Sequence, residues 1–142
     1  MTVTVEVRNR ARLVIDERAA AEVLAAALAA EGVREGDVGL VVLGRREMAA
    51  LNADHRGKPE PTDVLSFPLD GRDPLPAGLP RQLGDVVVCP PVARAEGTPL
   101  PALLVHGALH LVGYDHEADE GEMLARQQQI LEELEARAAR PS

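Results

Sequence analysis

Apolar and polar residues alternate along "TVTVEVRNR", with Val3, Val5 and Val7 on one side and Thr4, Glu6 and Arg8 on the other. A period of two marks a half-buried strand, because successive strand side chains point to opposite faces. The period then lengthens. Val23, Leu24, Ala27 and Leu28 recur at helical spacing, in a helix predicted over 17–31 with Asp16 as its cap and Gly32 as its stop. "DVGLVVLG" reads as a second strand. "RREMAALNADHR" reads as a short helix whose apolar side holds Met48, Ala49 and Leu51. "TDVLSFP" is a third strand closed by Pro68, and "LGDVVVC" a fourth, stopped by Pro90 and Pro91. Residues 69–82 between them are rich in Gly and Pro and read as a surface loop. A helix over 99–112 is broken by Gly113. A last helix over 117–138 turns Met123, Leu124, Ile130, Leu131 and Leu134 inward. The order β-α-β-α-β-β-α-α predicts an α+β fold: a small four-stranded mixed sheet packed with helices, in a single domain over 1–142.

Composition changes this picture little. Phe67 and Tyr114 are the only aromatic residues among Phe, Trp and Tyr, so the core must be built from Leu, Val, Ile and Ala. No apolar run approaches the roughly 20 residues of a membrane span, and Met1 leads straight into the first strand without a secretory pattern. Cys89, the single cysteine, excludes an internal disulfide and fits a reducing, cytoplasmic setting. It ends an apolar run and is expected to be a buried strand thiol. The net charge of −8 argues against tight, non-specific binding to nucleic acid. Locally the balance differs. Residues 115–142 carry eight acids against three bases, whereas 45–58 hold Arg45, Arg46, Arg56 and Lys58 against Glu47 and Asp54.

The chemistry concentrates in "HGALHLVGYDH", residues 106–116. Residues four apart share a helix face, so His106 and His110 can reach one ion. Gly113 supplies the turn that returns His116 toward them. The spacing H-x-x-x-H-x-x-G-x-x-H matches the metzincin protease signature except at position 107, where glycine replaces the catalytic glutamate. A closed structural zinc site would call for a fourth ligand, commonly cysteine, and Cys89 is distant in the chain. The pattern therefore favours an open tripod: one Zn2+ ion held by three histidines plus a water whose pKa the metal lowers to about 7. Without a glutamate to deliver a proton to an amine, peptide hydrolysis is disfavoured. Phosphodiester cleavage depends more on charge neutralisation by metal and arginine.

The residues "VHGALHLVGYDH" (105–116) and "LNADHRGKPEPTDVLSFP" (51–68) together resemble the YbeY family of bacterial endoribonucleases and rRNA maturation factors. "LGDVVV" at 83–88 and Met123 also fit that family. The resemblance implies a zincin-like metal site on a helix and its following turn, with His106, His110 and His116 as ligands. It also implies that Arg56 faces the same cleft, where its guanidinium can fork onto phosphate oxygens. His55 stands where the family usually keeps an aromatic residue, and can stack on a base or approach the metal. Asp115 can hydrogen-bond a ligand imidazole or cap the last helix. Thr62, Asp63 and Ser66 are expected to shape the cleft, and the segment after Cys89 looks short and proline-rich for the family.

The expected activity is zinc-dependent cleavage of single-stranded RNA in small-subunit (16S) rRNA 3′-end maturation and ribosome quality control, with His110 and Arg56 as catalytic groups. The expected partners are small-subunit rRNA, small-subunit ribosomal proteins and a ribosome-assembly GTPase, with no membrane. Two other readings share these residues. One is a metal-dependent hydrolase of another ester or amide. The other is a ribosome-biogenesis binding factor whose metal is structural.

Overall fold

Strands β1 (Val3–Asn9), β2 (Gly36–Val42), β3 (Val64–Pro68) and β4 (Gln82–Val88) form one sheet in the order β1-β2-β4-β3. β1 runs parallel to β2 and β2 to β4, while β3 pairs antiparallel with β4 as an edge strand. Among the described residues five helices accompany the sheet: α1 (Glu17–Ala30), α2 (Arg45–Arg56), α3 (Pro90–Glu96), α4 (Leu100–Leu111) and α5 (Glu122–Ala138). The computed structural model describes residues 2–115 and 117–139. The predicted α+β fold with a four-stranded mixed sheet is thus the observed one. Among the described residues no helix is long and apolar enough to cross a membrane.

The periodicity explains the early elements. Asp16 accepts from the amide of Ala19 at 3.0 Å, as a helix cap should, and α1 buries Ala20, Leu24, Ala27 and Leu28. These residues join Leu40, Val86 and the inner face of α4 in the main core. A smaller core forms where Met48 of α2 meets Leu43, Leu65, Val87, Cys89 and Val92.

Four expectations need correction. The segment after β4 is a helix, α3, where a proline-stopped loop was expected. Proline at the first helical positions lacks only a donor that has no partner there, and the Cys89 carbonyl accepts from the amides of Val92 and Ala93. Cys89 is buried as expected, yet it sits at the cap of α3 rather than in a strand, and burial pushes its thiol pKa up. The last helix begins at Glu122, not at 117. Asp119 accepts from the amides of Gly121 and Met123, so 117–121 form a turn. The inward stripe of α5 runs Met123, Gln127, Ile130, Leu134, and Leu124, one position off it, is 55% exposed.

Helix α4 is the element the site depends on. Leu103, Leu104, Val105, Gly107, Ala108, Leu109 and Leu111 are buried, which leaves His106 and His110 as the half-buried positions of that stretch. Position 107 faces the sheet. A Cβ there would stand 2.5 Å from Val86 Cγ1 and 3.3 Å from Ser66 Oγ. The glycine is therefore a packing requirement, and the residue that replaces a protease glutamate here points away from the histidine face.

Interiors are packed too tightly to absorb such an overlap without backbone or rotamer shifts, at a cost of about 1–3 kcal/mol. Gly107→Ala should lower stability by that amount in chemical denaturation. Val86→Ala in the same chain should recover part of the loss, because it removes the methyl group that the new Cβ meets.

Candidate active site

The cleft opens at the β3 edge of the sheet, between α4 and the C-terminal turn of α2. It is a cavity of about 730 Å³. Six residues singled out from the sequence line it together: His55, Arg56, Ser66, His106, His110 and Asp115. Thr62 and Asp63 line it as well. His116 lies outside the described residues.

Of the three described histidines, His106 and His110 are arranged as a pair. His106 Nε2 and His110 Nε2 are 3.1 Å apart, with the rings edge to face. The outer nitrogen of each ring is engaged. His106 Nδ1 lies 2.9 Å from Gln127 Oε1 of α5, and His110 Nδ1 lies 2.9 Å from the carbonyl oxygen of Tyr114. Both oxygens can only accept, so both Nδ1 atoms carry the proton and donate it. In the neutral form of each ring, Nε2 then carries the lone pair. Two lone pairs directed together at this separation repel unless a proton or a cation lies between them. Two nitrogens bound to one tetrahedral ion at roughly 2.0–2.1 Å would stand about 3.4 Å apart, close to the observed spacing. The donor set thus fits a borderline metal such as zinc, with Gln127 and the Tyr114 carbonyl fixing the tautomers.

Chain geometry explains the second of these contacts. α4 ends with a left-handed Gly113, φ 105°, and the Tyr114 amide returns to the carbonyl of Leu109 at 3.0 Å. The turn at Gly113 folds the Tyr114 carbonyl onto His110. Asp115 directs its carboxylate to the amide of Glu117 at 3.0 Å, within the turn that precedes α5.

The remaining predicted residues hold the rim. Arg56 ends α2, which closes on a left-handed Gly57, and its side chain is 39% exposed. Its Nη2 is 3.9 Å from Glu117 Oε1, a long, solvent-screened pair worth little energy. His55 packs its ring on Phe67 of β3, with centroids 4.5 Å apart. Ser66 Oγ donates to the carbonyl of Gly107 at 3.2 Å, tying the edge strand to α4. Asn52, buried beneath this rim, donates to the carbonyl of Glu60 at 2.8 Å and so braces the segment after Arg56.

Beside the cleft, sequence reasoning missed a buried ionic cluster. Glu31, whose side chain is 6% exposed, accepts from Arg126 Nε at 2.5 Å and from Arg72 Nη2 at 2.6 Å. The Tyr114 ring faces the same carboxylate and is coupled to it electrostatically. Burial alone would raise the Glu31 pKa, but its interactions with Arg126, Tyr114 and Arg72 outweigh it and hold the group below its ordinary value. Tyr114 is pushed up, by burial and by the carboxylate it faces. The cluster joins α1, the 69–81 loop, α5 and the turn after α4. Gln127 was missed too, although a signal existed. It is the polar residue in the otherwise apolar stripe Met123, Ile130, Leu134.

Taken together, these elements define an α+β protein that presents a histidine pair from a buried helix beside an open edge strand, with an arginine across the gap. The chain belongs to the endoribonuclease YbeY family, whose model matches residues 6–135. It is 44% identical over 111 residues to the endoribonuclease YbeY of Halorhodospira halophila, covering 71% of this chain and 72% of that protein. With the endoribonuclease YbeY of Sulfurovum sp. it shares 32% over 142 residues, covering 94% and 92%. The solution structure of TM1509 from Thermotoga maritima superposes with a TM-score of 0.57 at 27% identity, over 96% of this chain and 93% of that one. The resemblance carried by residues 51–68 and 105–116 is therefore borne out.

Two outcomes follow. In 15N-detected imidazole spectra His106 and His110 should both hold the proton on Nδ1. Gln127→Ala should blur that preference at His106 and leave it at His110, and unchanged His106 signals would exclude the bridge. Because Glu31 titrates below its unfolded value, it stabilises the fold above the unfolded carboxylate pKa of roughly 4 and loses that contribution as pH falls through the folded value. Thermal melts from pH 7 down to 3 should show this acid limb flattened in Glu31→Gln, on a lower plateau at neutral pH.

Proposed function

We propose that the protein is a zinc-dependent endoribonuclease specific for single-stranded RNA, acting through a single cytoplasmic domain in small-subunit (16S) rRNA 3′-end maturation and ribosome quality control. The observation that carries the reading is the histidine pair, whose Nε2 atoms converge at 3.1 Å while both Nδ1 atoms face acceptors, across the cleft from Arg56. Family membership and the names of the relatives support RNA as the substrate. His106, His110 and His116 would hold one zinc ion. Bound there, zinc supplies a Lewis acid and lowers the pKa of a water ligand to about 7.

The chain's own residues do the rest. Arg56 binds the phosphodiester, forking onto its oxygens and neutralising charge that grows as the bond breaks. A phosphate carries a full charge at close range, so it displaces the loose contact with Glu117. Gln127 and the Tyr114 carbonyl hold the imidazoles in register. Gly107 brings no proton-carrying group, in keeping with a leaving alkoxide rather than an amine. The net charge of −8 means that naked RNA is held by local contacts, so small-subunit ribosomal proteins and an assembly GTPase would deliver the enzyme to its site.

Purified protein should cleave single-stranded RNA, lose activity to a chelator and regain it with zinc. His110→Ala should lose both zinc and cleavage, whereas Arg56→Ala should keep zinc and fall about 10²-fold or more in kcat. Cleavage that survives His110→Ala would reveal a contaminating nuclease and sink the proposal. If chelation unfolds the chain and Arg56→Ala leaves rRNA processing intact in cells, the structural-metal docking factor takes its place. Turnover of esters or amides but not RNA would favour the other hydrolase.

A further inference from the structure

The ring contact between His55 and Phe67 lies on the ridge that separates the main cleft from a smaller hollow on the α2 side of the sheet. His55 lines the first, and Phe67, with Leu43 and Leu51, lines the second. The chain has two aromatic residues among Phe, Trp and Tyr, and it places Phe67 here, half-exposed, under an exposed imidazole. The rings are 4.5 Å apart and tilted by 52°. One side of the imidazole is therefore supported by Phe67, and its orientation is held by packing. The immediate neighbour on the helix is Arg56. Consecutive helical side chains diverge by about 100°, much as the base and the phosphate of one nucleotide point away from each other.

We propose that His55, supported by Phe67, is a stacking subsite for one unpaired nucleobase of the strand whose phosphate lies on Arg56. The proposal rests on the ribonuclease reading given above. Aromatic faces receive bases of any identity, and stacking of this kind selects single strands because a base inside a duplex has no free face. The subsite thus gives the cleft a preference for unpaired RNA that neither a metal nor an arginine can supply, since both meet phosphate in single and double strands alike. It also separates His55 from the metal-binding set: the ring takes part in substrate binding.

Anisotropy titrations with a 2′-O-methyl single-stranded oligomer, intact or carrying one abasic position, test the assignment. Wild-type protein should bind the intact oligomer and lose roughly five-fold or more in affinity when one particular position is abasic. A 2-aminopurine at that position should be quenched on binding. His55→Ala should bind both oligomers alike and abolish the quenching, with zinc content and melting temperature unchanged. His55→Tyr should restore both signals. If His55→Ala still discriminates the abasic oligomer, or loses its zinc, the subsite is wrong while the ribonuclease reading stands. If wild-type protein binds both oligomers alike, or binds neither yet cleaves RNA, the subsite fails while the ribonuclease reading stands; if it neither binds nor cleaves RNA, both fail.

Discussion

The close approach of α4 to the sheet at Gly107 is the constraint on which the rest depends. With no side chain at 107, the helix settles onto Val86 and the Ser66 hydroxyl reaches the Gly107 carbonyl. That seat fixes the rotation of the helix about its axis. Seven apolar or small residues turn into the core, and His106 and His110 are left as the half-buried positions at the open edge. Helical spacing alone would align the histidines with each other, but it would not aim them. The sheet contact aims them at the cleft, and the Gly113 turn and α5 then supply the oxygens that orient the rings.

Position 107 therefore has a different meaning from the one its sequence context invites. Beside a protease signature, a glycine there looks like a deleted base. In the structure, a glutamate at 107 could not reach the histidine face without pushing α4 off the sheet.

Much of this was legible in the sequence, for identifiable reasons. β1, α1 and α2 follow from hydrophobic period and caps, and α2 spans the predicted 45–56. His55, Arg56, Ser66, His106, His110 and Asp115 share one cleft because two motifs far apart in the chain meet across the β3 edge. α3 escaped because proline was taken as a stop when it is equally a helix start. The length of α5 was overestimated because acidic residues at 117–122 resemble a first helical turn, whereas Asp119 already supplies the caps. Gln127 was marked locally, as the polar member of an apolar stripe, but its partner lies 21 residues away, and Glu31 lies 95 residues from Arg126; no local pattern encodes pairings at such distances.

The contact between Gln127 and His106 has a consequence for the motif as a whole. α5 is a separate helix from α4, so the residue that orients His106 lies outside the element that carries it. Arg126, the next residue before Gln127, docks the same helix on Glu31 by an ion pair. The motif thus borrows its alignment from a helix it does not contain, and whatever loosens α5 disturbs the His106 ring without altering any residue of the motif.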